Sequence, residues 1–277
     1  VQQPERDQIL LNIRSRQGNN RLLLSAGTGT ARVHITTRKY EQPAEPPMFC
    51  MLLRKHLTST VIESVSQPNR DRLLVFEIGG YDEMGDPVHK QLIVEMMGQA
   101  SNIILVDEEG RIIDCLRRIS SSDGVRRNLL PGMFYQLPPQ QKKPDFFSVE
   151  QEQRCAMFRE AESVTADKWI TANFAGVSPL IAREIVYRSC GEVSPSLDGM
   201  SLSQKEQFCD MMDVFAQSIG CKEFTPVMLT EDGKMKDFSF QPIKQYGAAM
   251  QQTVAEGFSV LLDEFYGARD KAESMRR

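Results

Sequence analysis

The sequence has no long hydrophobic run. None of its apolar stretches reaches the roughly 18 residues that a membrane-spanning helix requires. Its first residues show neither the basic region nor the apolar region of a signal peptide. We therefore expect a cytoplasmic protein without a membrane partner.

The sequence also lacks the clustered cysteines of a metal site. No two cysteines form a Cys-x-x-Cys pair, and the three histidines, His34, His56 and His89, lie far from them in sequence. A structural zinc ion is therefore not expected, and the residues indicate no other metal and no cofactor. Several cysteines lie inside apolar runs, where a reduced thiol behaves as a small hydrophobic group. The six are Cys50, Cys115, Cys155, Cys190, Cys209 and Cys221.

Positive charge is not in excess either. The formal net charge is −4, so a contact with nucleic acid has to come from a local basic patch. The 277 residues, of which 41% are hydrophobic and 25% charged, suit a globular protein with one large domain or two ordinary ones.

What the sequence does contain is a series of apolar runs between residues 71 and 118. A glycine-rich loop over 79–87 and a Glu-Glu-Gly turn at 108–110 separate them. The runs are rich in Ile, Leu and Val, which suit a half-buried sheet. They predict an antiparallel meander with strands over 73–78, 92–97, 103–106 and 112–116.

Two features of this meander exceed what a sheet needs. Asp71 and Arg72 place an acid and a guanidinium where the first strand begins, and Gly98, Ser101 and Asn102 interrupt the apolar residues. Both features also have a purely structural interpretation, because acids are common in turns and such breaks are common in β-bulges. From the residues alone, the two interpretations stay open.

Before the meander, the pattern predicts three strands and a helix. The strands cover 8–14, 21–25 and 31–36, with a turn at 18–20 between the first two. The domain begins so abruptly that we expect a further segment upstream of Val1.

The helix is opened by Pro47 and carries Met48, Met51, Leu52 and Lys55 at helical spacing, and residues 49–57 give it an apolar face. Arg54 and Lys55 give it a basic end that could contact RNA. A core helix with a solvated end explains the same pattern.

Four arginines follow the meander and flank a flexible Ser/Gly segment over 120–124. Guanidinium groups in this arrangement could grip phosphate, or they could simply keep a loop soluble. The four are Arg117, Arg118, Arg126 and Arg127.

A proline-rich stretch over 138–144 is the best domain boundary in the chain. The periodicity beyond it is helical. It predicts helices over 149–163, which Ser148 would cap, over 168–174, and over 202–219, which Ser201 or Ser203 would cap.

A helix-hairpin-helix unit is predicted around Gly176. This glycine ends one helix, Ser178 caps the next, Pro179 takes its first position, and Arg183 lies within it. Backbone N–H groups at such a helix start suit a phosphate oxygen. Similar helix pairs also serve as plain scaffold.

The last part of the chain predicts a β-hairpin and a helix. Asp232 and Gly233 form the turn of the hairpin, which spans 224–240. We expect this hairpin to return to the first domain's sheet, so that the helical region would be an insertion. The helix covers 253–266, and we expect it to continue beyond Arg277.

These motifs together resemble the NFACT family. That family includes the bacterial RqcH group, long described as FbpA-type fibronectin-binding proteins, and the eukaryotic NEMF proteins. The resemblance spans nearly the whole chain and is carried by ordered segments. They are residues 22–36, 45–57, Asp71-Arg72, 95–105 and Leu130-Pro131-Gly132.

The resemblance implies an α+β fold. An antiparallel, β-rich NFACT-N domain, similar to formamidopyrimidine-DNA glycosylases, would carry an inserted or appended all-α helix-hairpin-helix domain. The implied divisions are 1–144 for NFACT-N, 145–222 for the helical domain, 223–247 for the returning hairpin, and 248–277 for a helix leading toward a coiled coil.

The resemblance also implies a function. Family members bind tRNA, specifically alanyl-tRNA, and the large ribosomal subunit that is obstructed by peptidyl-tRNA, and they support C-terminal alanine tailing of stalled chains. An Asp-Arg pair in the family is associated with the tRNA anticodon arm, and Asp71-Arg72 matches it. With Arg54, Lys55 and the four arginines around 120–124, this pair forms the expected tRNA-binding set.

Several departures limit the resemblance. The family's Asp-Gly helix, coiled coil and NFACT-R domain are not in this sequence, and neither are the proline nucleophile and zinc finger of the glycosylases. We therefore expect no catalytic residue and a non-enzymatic module. The alternatives are a fibronectin- or fibrinogen-binding surface adhesin and a nucleic-acid lyase with glycosylase-like chemistry.

Overall fold

The protein consists of two compact units, Val1–Pro139 and Gln140–Arg277. The structure is a computed structural model, and it describes residues 1–120, 127–140, 142–159, 161 and 163–274. Each unit has its own hydrophobic core and is described in turn.

The first unit contains two antiparallel sheets. Strands β1 (Gln8–Ser15), β2 (Gly18–Ser25) and β3 (Arg32–Ile35) form a three-stranded sheet in that order, and helix α1 (Met48–Leu57) follows it. The second sheet has five strands in sequence order. They are β4 (Val61–Ser66), β5 (Leu73–Tyr81), β6 (Pro87–Glu95), β7 (Asn102–Asp107) and β8 (Ile112–Cys115).

The five-stranded sheet is covered on both faces. On one face, Phe76 and Leu92 pack with Leu11 and Leu24 of the smaller sheet and with Leu53 of α1. Side chains alternate between the faces of a strand, so the residues between these point the other way. The opposite face is covered by the chain that follows the sheet.

That opposite face matters for the site. Val75, Ile93 and Ile104 lie on it, together with Leu129 and Tyr135 from the segment after β8. Pairing continues beyond the sheet, because the N–H of Ile112 donates to the carbonyl of Met133 at 2.8 Å. Residues 127–135 are thereby fixed over the sheet.

The second unit combines four helices, a small sheet and a final helix. Its strands pair in the order β10-β9-β11. The elements are α2 (Gln151–Arg159), α3 (Ala166–Asn173), α4 (Pro179–Cys190), α5 (Leu202–Gly220), β9 (Val227–Glu231), β10 (Lys234–Ser239), β11 (Gln251–Val254) and α6 (Phe258–Ser274).

A mixed α/β chain with antiparallel sheets is therefore confirmed, and so are the four predicted meander strands. The strands predicted over 8–14, 21–25 and 31–36 also form, but the turn between the first two lies at Arg16 and Gln17. It does not lie at 18–20, because Gly18 already pairs with Ser15.

The predicted return of the C-terminal hairpin to the first sheet is wrong. The hairpin forms, with Asp232 and Gly233 at positive φ values of 50° and 70°, but its third strand is β11. Val227 and Leu229 of this hairpin are buried in the core of the second unit. The predicted boundary at residue 144 moves to Pro139, because Lys143 and Pro144 already form hydrogen bonds with Thr171 and Ala175 of the second unit.

The predicted starts of two helices are corrected. The last helix begins at Phe258 rather than 253, because Thr253 and Val254 pair with β9. Helix α2 starts at Gln151, and the Ser148 hydroxyl donates to Asp145 instead of capping the helix.

The predicted apolar face of α1 within residues 49–57 forms. Met48 and Met51 are exposed, whereas Phe49, Cys50 and Leu53 are buried.

Candidate nucleic-acid interface

Asp71 and Arg72 form a sharp corner that leads into β5. A short 3-10 turn, Pro68–Arg70, precedes them, and both Asn69 and Arg70 adopt positive φ values, 53° and 52°. Such values are unfavourable for residues other than glycine and are found where surrounding contacts enforce them. The corner is thus a fixed feature of the backbone.

Local hydrogen bonds hold this corner. One carboxylate oxygen of Asp71 accepts from the N–H of Arg72 at 2.8 Å, and the side chain of Gln67 donates to the Asp71 carbonyl at 2.8 Å. The Arg72 carbonyl in turn accepts from the N–H of Met96 at 2.8 Å. The acid therefore orients the backbone that carries the guanidinium.

The Arg72 side chain itself is exposed. It forms no hydrogen bond or ion pair with any residue that the structure describes. A guanidinium presents several N–H donors in a rigid fork that matches phosphate oxygens and base edges. Of the predicted doublet, Arg72 is the half that is available to a ligand.

Behind the corner lies a buried ionic cluster that the sequence did not reveal. Glu95, at the end of β6, is 2% exposed, and both its oxygens accept from Arg127, at 2.5 and 2.7 Å. The Tyr135 hydroxyl donates to the same carboxylate at 2.7 Å. The cluster holds residues 127–135, called the covering segment below, against the sheet.

Electrostatics connect this cluster to the corner. Burial raises the pKa of Tyr135, and the negative charges of Glu95 and then Asp71 raise it further. The strand pairing agrees, because Leu73, two residues after Asp71, lies opposite Glu95 in the sheet. The buried cluster and the exposed Arg72 belong to one local structure.

Arg127 is consequently not a surface contact. Its side chain is 10% exposed and is committed to Glu95, so the expectation that it grips phosphate is corrected. Its neighbour in the prediction, Arg126, lies outside the described residues.

Arg117 is held by the break in the apolar run. The Asn102 side chain, which is fully buried, accepts from the N–H of Arg117 at 3.0 Å and donates to its carbonyl at 2.8 Å. The Arg117 guanidinium donates to the carbonyl of Ser101 at 3.1 Å. The Gly-Ser-Asn break thus has a structural role, because it anchors the chain after β8.

Arg118 is exposed but paired. It makes two hydrogen bonds to Asp114, at 3.1 and 3.0 Å. The hydrogen bond and the charge of Asp114 raise the pKa of Arg118. Its charge is locally balanced, so it contributes less to an anion site than a free arginine would.

The two basic residues of α1 have different roles. Arg54 donates through Nε to the carbonyl of Val1 at 2.8 Å. Lys55 is exposed and lies near His56, whose pKa is lowered by burial and then by the charges of Lys90 and Lys55. Lys90 pairs with Ile78, five residues along β5 from Leu73, which pairs with Glu95. Of the predicted set, the side chains of Arg54, Arg117, Arg118 and Arg127 thus donate to partners within the chain.

The helix pair around Gly176 offers little to a phosphate. The Ser178 hydroxyl accepts from the N–H of Ile181 at 3.3 Å, and Pro179 has no N–H. In the first turn of α4, this leaves only the N–H of Leu180 among the described residues. Arg183 donates to the side chain of Gln245 at 3.3 Å.

The backbone at residue 176 favours glycine for a structural reason. Its φ is +85°, and a Cβ at this position would lie 3.0 Å from a carboxylate oxygen of Asp145. The pair α3–α4 is part of one packed core, and the prediction of a separate phosphate-binding helix-hairpin-helix domain is corrected.

Other kinds of site find no support in the part of the chain that the structure describes. It contains no group of three His, Cys, Asp or Glu residues that could hold a metal ion. None of its helices has both the length and the apolar character needed to cross a bilayer.

The chain is thus a two-unit protein of antiparallel sheets and helices. Its first unit has a five-stranded meander backed by a smaller sheet, with an exposed arginine at one corner, and its second unit is separate and contains most of the helices. The whole chain, residues 1–277, matches the model of the NFACT N-terminal and middle domains. The chain belongs to the NFACT family.

Individual relatives agree with this assignment. The chain is 35% identical over 280 residues to the Rqc2 homolog RqcH of Bacillus subtilis, covering 100% of this chain and 46% of that protein. It is 34% identical over 106 residues to the human ribosome quality control complex subunit NEMF, covering 38% of this chain and 9% of NEMF. The chain thus spans about half the length of its bacterial relative.

A solved structure is similar as well. The crystal structure of the fibrinogen binding protein from Staphylococcus aureus superimposes with a TM-score of 0.77 at 30% identity. The match covers 96% of this chain and 90% of the other.

Proposed function

We propose that this chain is the tRNA- and ribosome-binding part of a cytoplasmic ribosome quality control factor. It would bind alanyl-tRNA and the large subunit obstructed by peptidyl-tRNA, and so support C-terminal alanine tailing of stalled chains. Support comes from the family and from the names of relatives that are Rqc2 homologs or subunits of a ribosome quality control complex. The module would act by binding, without a catalytic residue or a cofactor, on a fold similar to that of the glycosylases.

The observation that carries the proposal is the exposed Arg72 on its fixed corner. The loop of the anticodon arm is single-stranded, so its unpaired bases present their edges beside the backbone phosphates. Arg72 could donate to either, and one Asp71 oxygen, which makes no bond to a described residue, could accept from an exocyclic amine. The strained backbone before the corner would keep both groups in position before RNA arrives.

The test is the double substitution Asp71→Ala with Arg72→Ala in the intact protein. We expect loss of alanine tailing and of tRNA binding. Thermal stability should change little, because the two side chains make only one local hydrogen bond among the described residues. Tailing would be measured on stalled nascent chains and stability by thermal unfolding.

A matched control removes an equal pair of charges elsewhere. Glu231 and Lys236 form an exposed ion pair of 2.8 Å in the β9–β10 hairpin of the second unit. The double alanine variant of this pair should tail normally. If the Asp71/Arg72 variant tails as well as this control, the site assignment is wrong.

A second candidate function rests on the solved relative, which is described as a fibrinogen binding protein. A surface adhesin would have to reach the cell exterior. Antibody labelling of unpermeabilised cells that express the native protein distinguishes the two. Surface labelling together with saturable fibronectin or fibrinogen binding would favour the adhesin, and its absence would favour the ribosomal role.

A further inference from the structure

The first hairpin of the chain carries an unusual balance of charge. Residues 8–40 contain no aspartate and no glutamate, although the whole chain has a formal net charge of −4. The same stretch contains six cationic residues, namely Arg14, Arg16, Arg21, Arg32, Arg38 and Lys39. Five of them lie outside the core, since only Arg32 is buried.

Strand pairing brings several of these residues together. In the β1–β2 register, Arg14 is opposite Asn19 and Asn12 is opposite Arg21. Ile9 and Leu11 face the core, so Asn12 and Arg14, on alternate positions, belong to the other face of the ribbon. Cross-strand neighbours on one face lie about 5 Å apart at Cβ, which groups two arginines and two asparagines.

The hairpin turn and the chain after β3 extend this group. Arg16 lies in the two-residue turn between Ser15 and Gly18. Arg21 donates to the carbonyl of Thr37 at 2.9 Å and thereby fixes the segment that leads to Lys39. We call Arg14, Arg16, Arg21 and Lys39 the hairpin patch.

The patch is open to a ligand. Arg14, Arg16 and Lys39 are exposed and form no ion pair or hydrogen bond through their side chains with any described residue. Cations without an acidic partner raise the local potential and attract polyanions. Arg21, held by Thr37, loses less freedom on binding than an unrestrained arginine.

The chemistry around the patch favours RNA over a lipid surface. Exposed amides accompany the cations, namely Asn12, Gln17, Asn19 and Asn20. Guanidinium and amide groups are the usual partners of phosphates and of the ribose 2′-hydroxyl. Membrane-surface elements need exposed large apolar side chains, and none occurs between residues 12 and 21.

We propose that the hairpin patch is a second RNA-binding surface, one that contacts the sugar-phosphate backbone without reading its sequence. The inference builds on the proposed function, because it assigns a further part of this chain to RNA. It does not depend on Asp71 and Arg72, which precede β5 of the other sheet. The patch would add affinity, while the corner would add selectivity.

The test variant combines Arg14→Gln, Arg16→Gln and Lys39→Gln in the full chain. Binding is measured by fluorescence anisotropy with an alanine tRNA transcript and with a short RNA duplex, over a series of salt concentrations. Each phosphate contact contributes about 0.7 to 0.9 to the slope of log affinity against log salt. We expect the slope to fall by roughly two and affinity for both RNAs to fall about tenfold or more.

The matched control removes the same charge from the second unit. Lys142, Lys168 and Lys234 are exposed, and their side chains form no ion pair with a described residue. Their triple glutamine variant should keep the slope and affinity of the parent chain. Circular dichroism of both variants checks that the fold is retained.

Several outcomes would overturn the inference. One is an unchanged slope in the test variant, and another is an equal loss in both triple variants. A third is loss of binding to phosphatidylglycerol-containing vesicles with RNA affinity retained, which would assign the patch to lipid.

The Asp71/Arg72 variant separates this inference from the proposed function. If that variant abolishes tailing while the hairpin variant binds RNA normally, only the hairpin inference fails. If the hairpin variant loses RNA affinity while the Asp71/Arg72 variant tails and binds tRNA normally, only the corner assignment fails. If the parent chain binds neither RNA, both fail.

Discussion

Glu95 is the residue on which the covering segment of the first unit depends. Its carboxylate is buried and is shared by the Arg127 guanidinium and the Tyr135 hydroxyl. Removing one partner of a buried ion pair leaves an uncompensated charge and costs about 3 to 5 kcal/mol. We expect Glu95→Gln to lower the free energy of unfolding by about that amount, measured by urea denaturation.

The control for this prediction is Glu109→Gln, which breaks the exposed pair with Arg111. Exposed pairs contribute about 0 to 1 kcal/mol, so this variant should unfold close to the parent. Equal midpoints for the two variants would show that the buried cluster is not what fastens the segment.

For single residues, the sequence could predict which ones are unusual but not which residues they contact. Asp71 and Arg72 stood out because an acid and a guanidinium open an apolar strand, and Arg72 is indeed exposed. Arg127 stood out for its charge alone, and its partner Glu95 lies 32 residues away. Pairing across such a distance depends on tertiary packing, which local patterns do not encode.

Ser201 fixes the start of α5. Its hydroxyl accepts from the N–H of Gln204, and the Gln204 side chain accepts from the N–H of Ser201, which is the reciprocal arrangement of a capping box. Loss of such a cap costs about 1 kcal/mol. We expect Ser201→Ala to reduce the free energy of unfolding by about that amount in chemical denaturation.

Ser203 provides a matched comparison, because it is a serine of the same first turn that does not cap it. Ser203→Ala should change stability by less than about 0.5 kcal/mol. A larger loss for Ser203 than for Ser201 would contradict the assigned helix start. The sequence left both serines open as caps, since each precedes a plausible first turn.

Elements with a buried face were predictable, and elements without one were not. The strands β5, β6 and β7 carry runs of buried Ile, Leu and Val. The missed strands are edge strands: β4 has one partly buried residue in six, and β11 is exposed throughout. An edge strand that buries few side chains lacks the periodic pattern on which prediction depends.

At the scale of the whole molecule, sequence order did not determine which sheet the last hairpin joins. Both arrangements would bury Val227 and Leu229, and only the structure shows that they complete the core of the second unit. The helical region is therefore not an insertion within one sheet. Each unit has a separate core, so each should fold by itself.

The position of the boundary can be tested by comparing two fragments, residues 140–277 and 145–277. The shorter one starts where the sequence placed the boundary and loses two hydrogen bonds that the longer one keeps. Ala175 donates to the carbonyl of Pro144 at 2.9 Å, and the Lys143 ammonium donates to the carbonyl of Thr171 at 2.8 Å. An amide that loses its partner in a partly buried position costs about 1 to 3 kcal/mol.

We therefore expect both fragments to unfold cooperatively in urea, with 145–277 less stable by about that amount. Residues 1–139, produced separately, should also show one cooperative transition, because their two sheets and α1 share a core. Equal urea midpoints for fragments 140–277 and 145–277 would return the boundary to residue 144. A non-cooperative transition for 140–277 would show that the helices and the small sheet need the first unit to fold, and that the two cores are not independent.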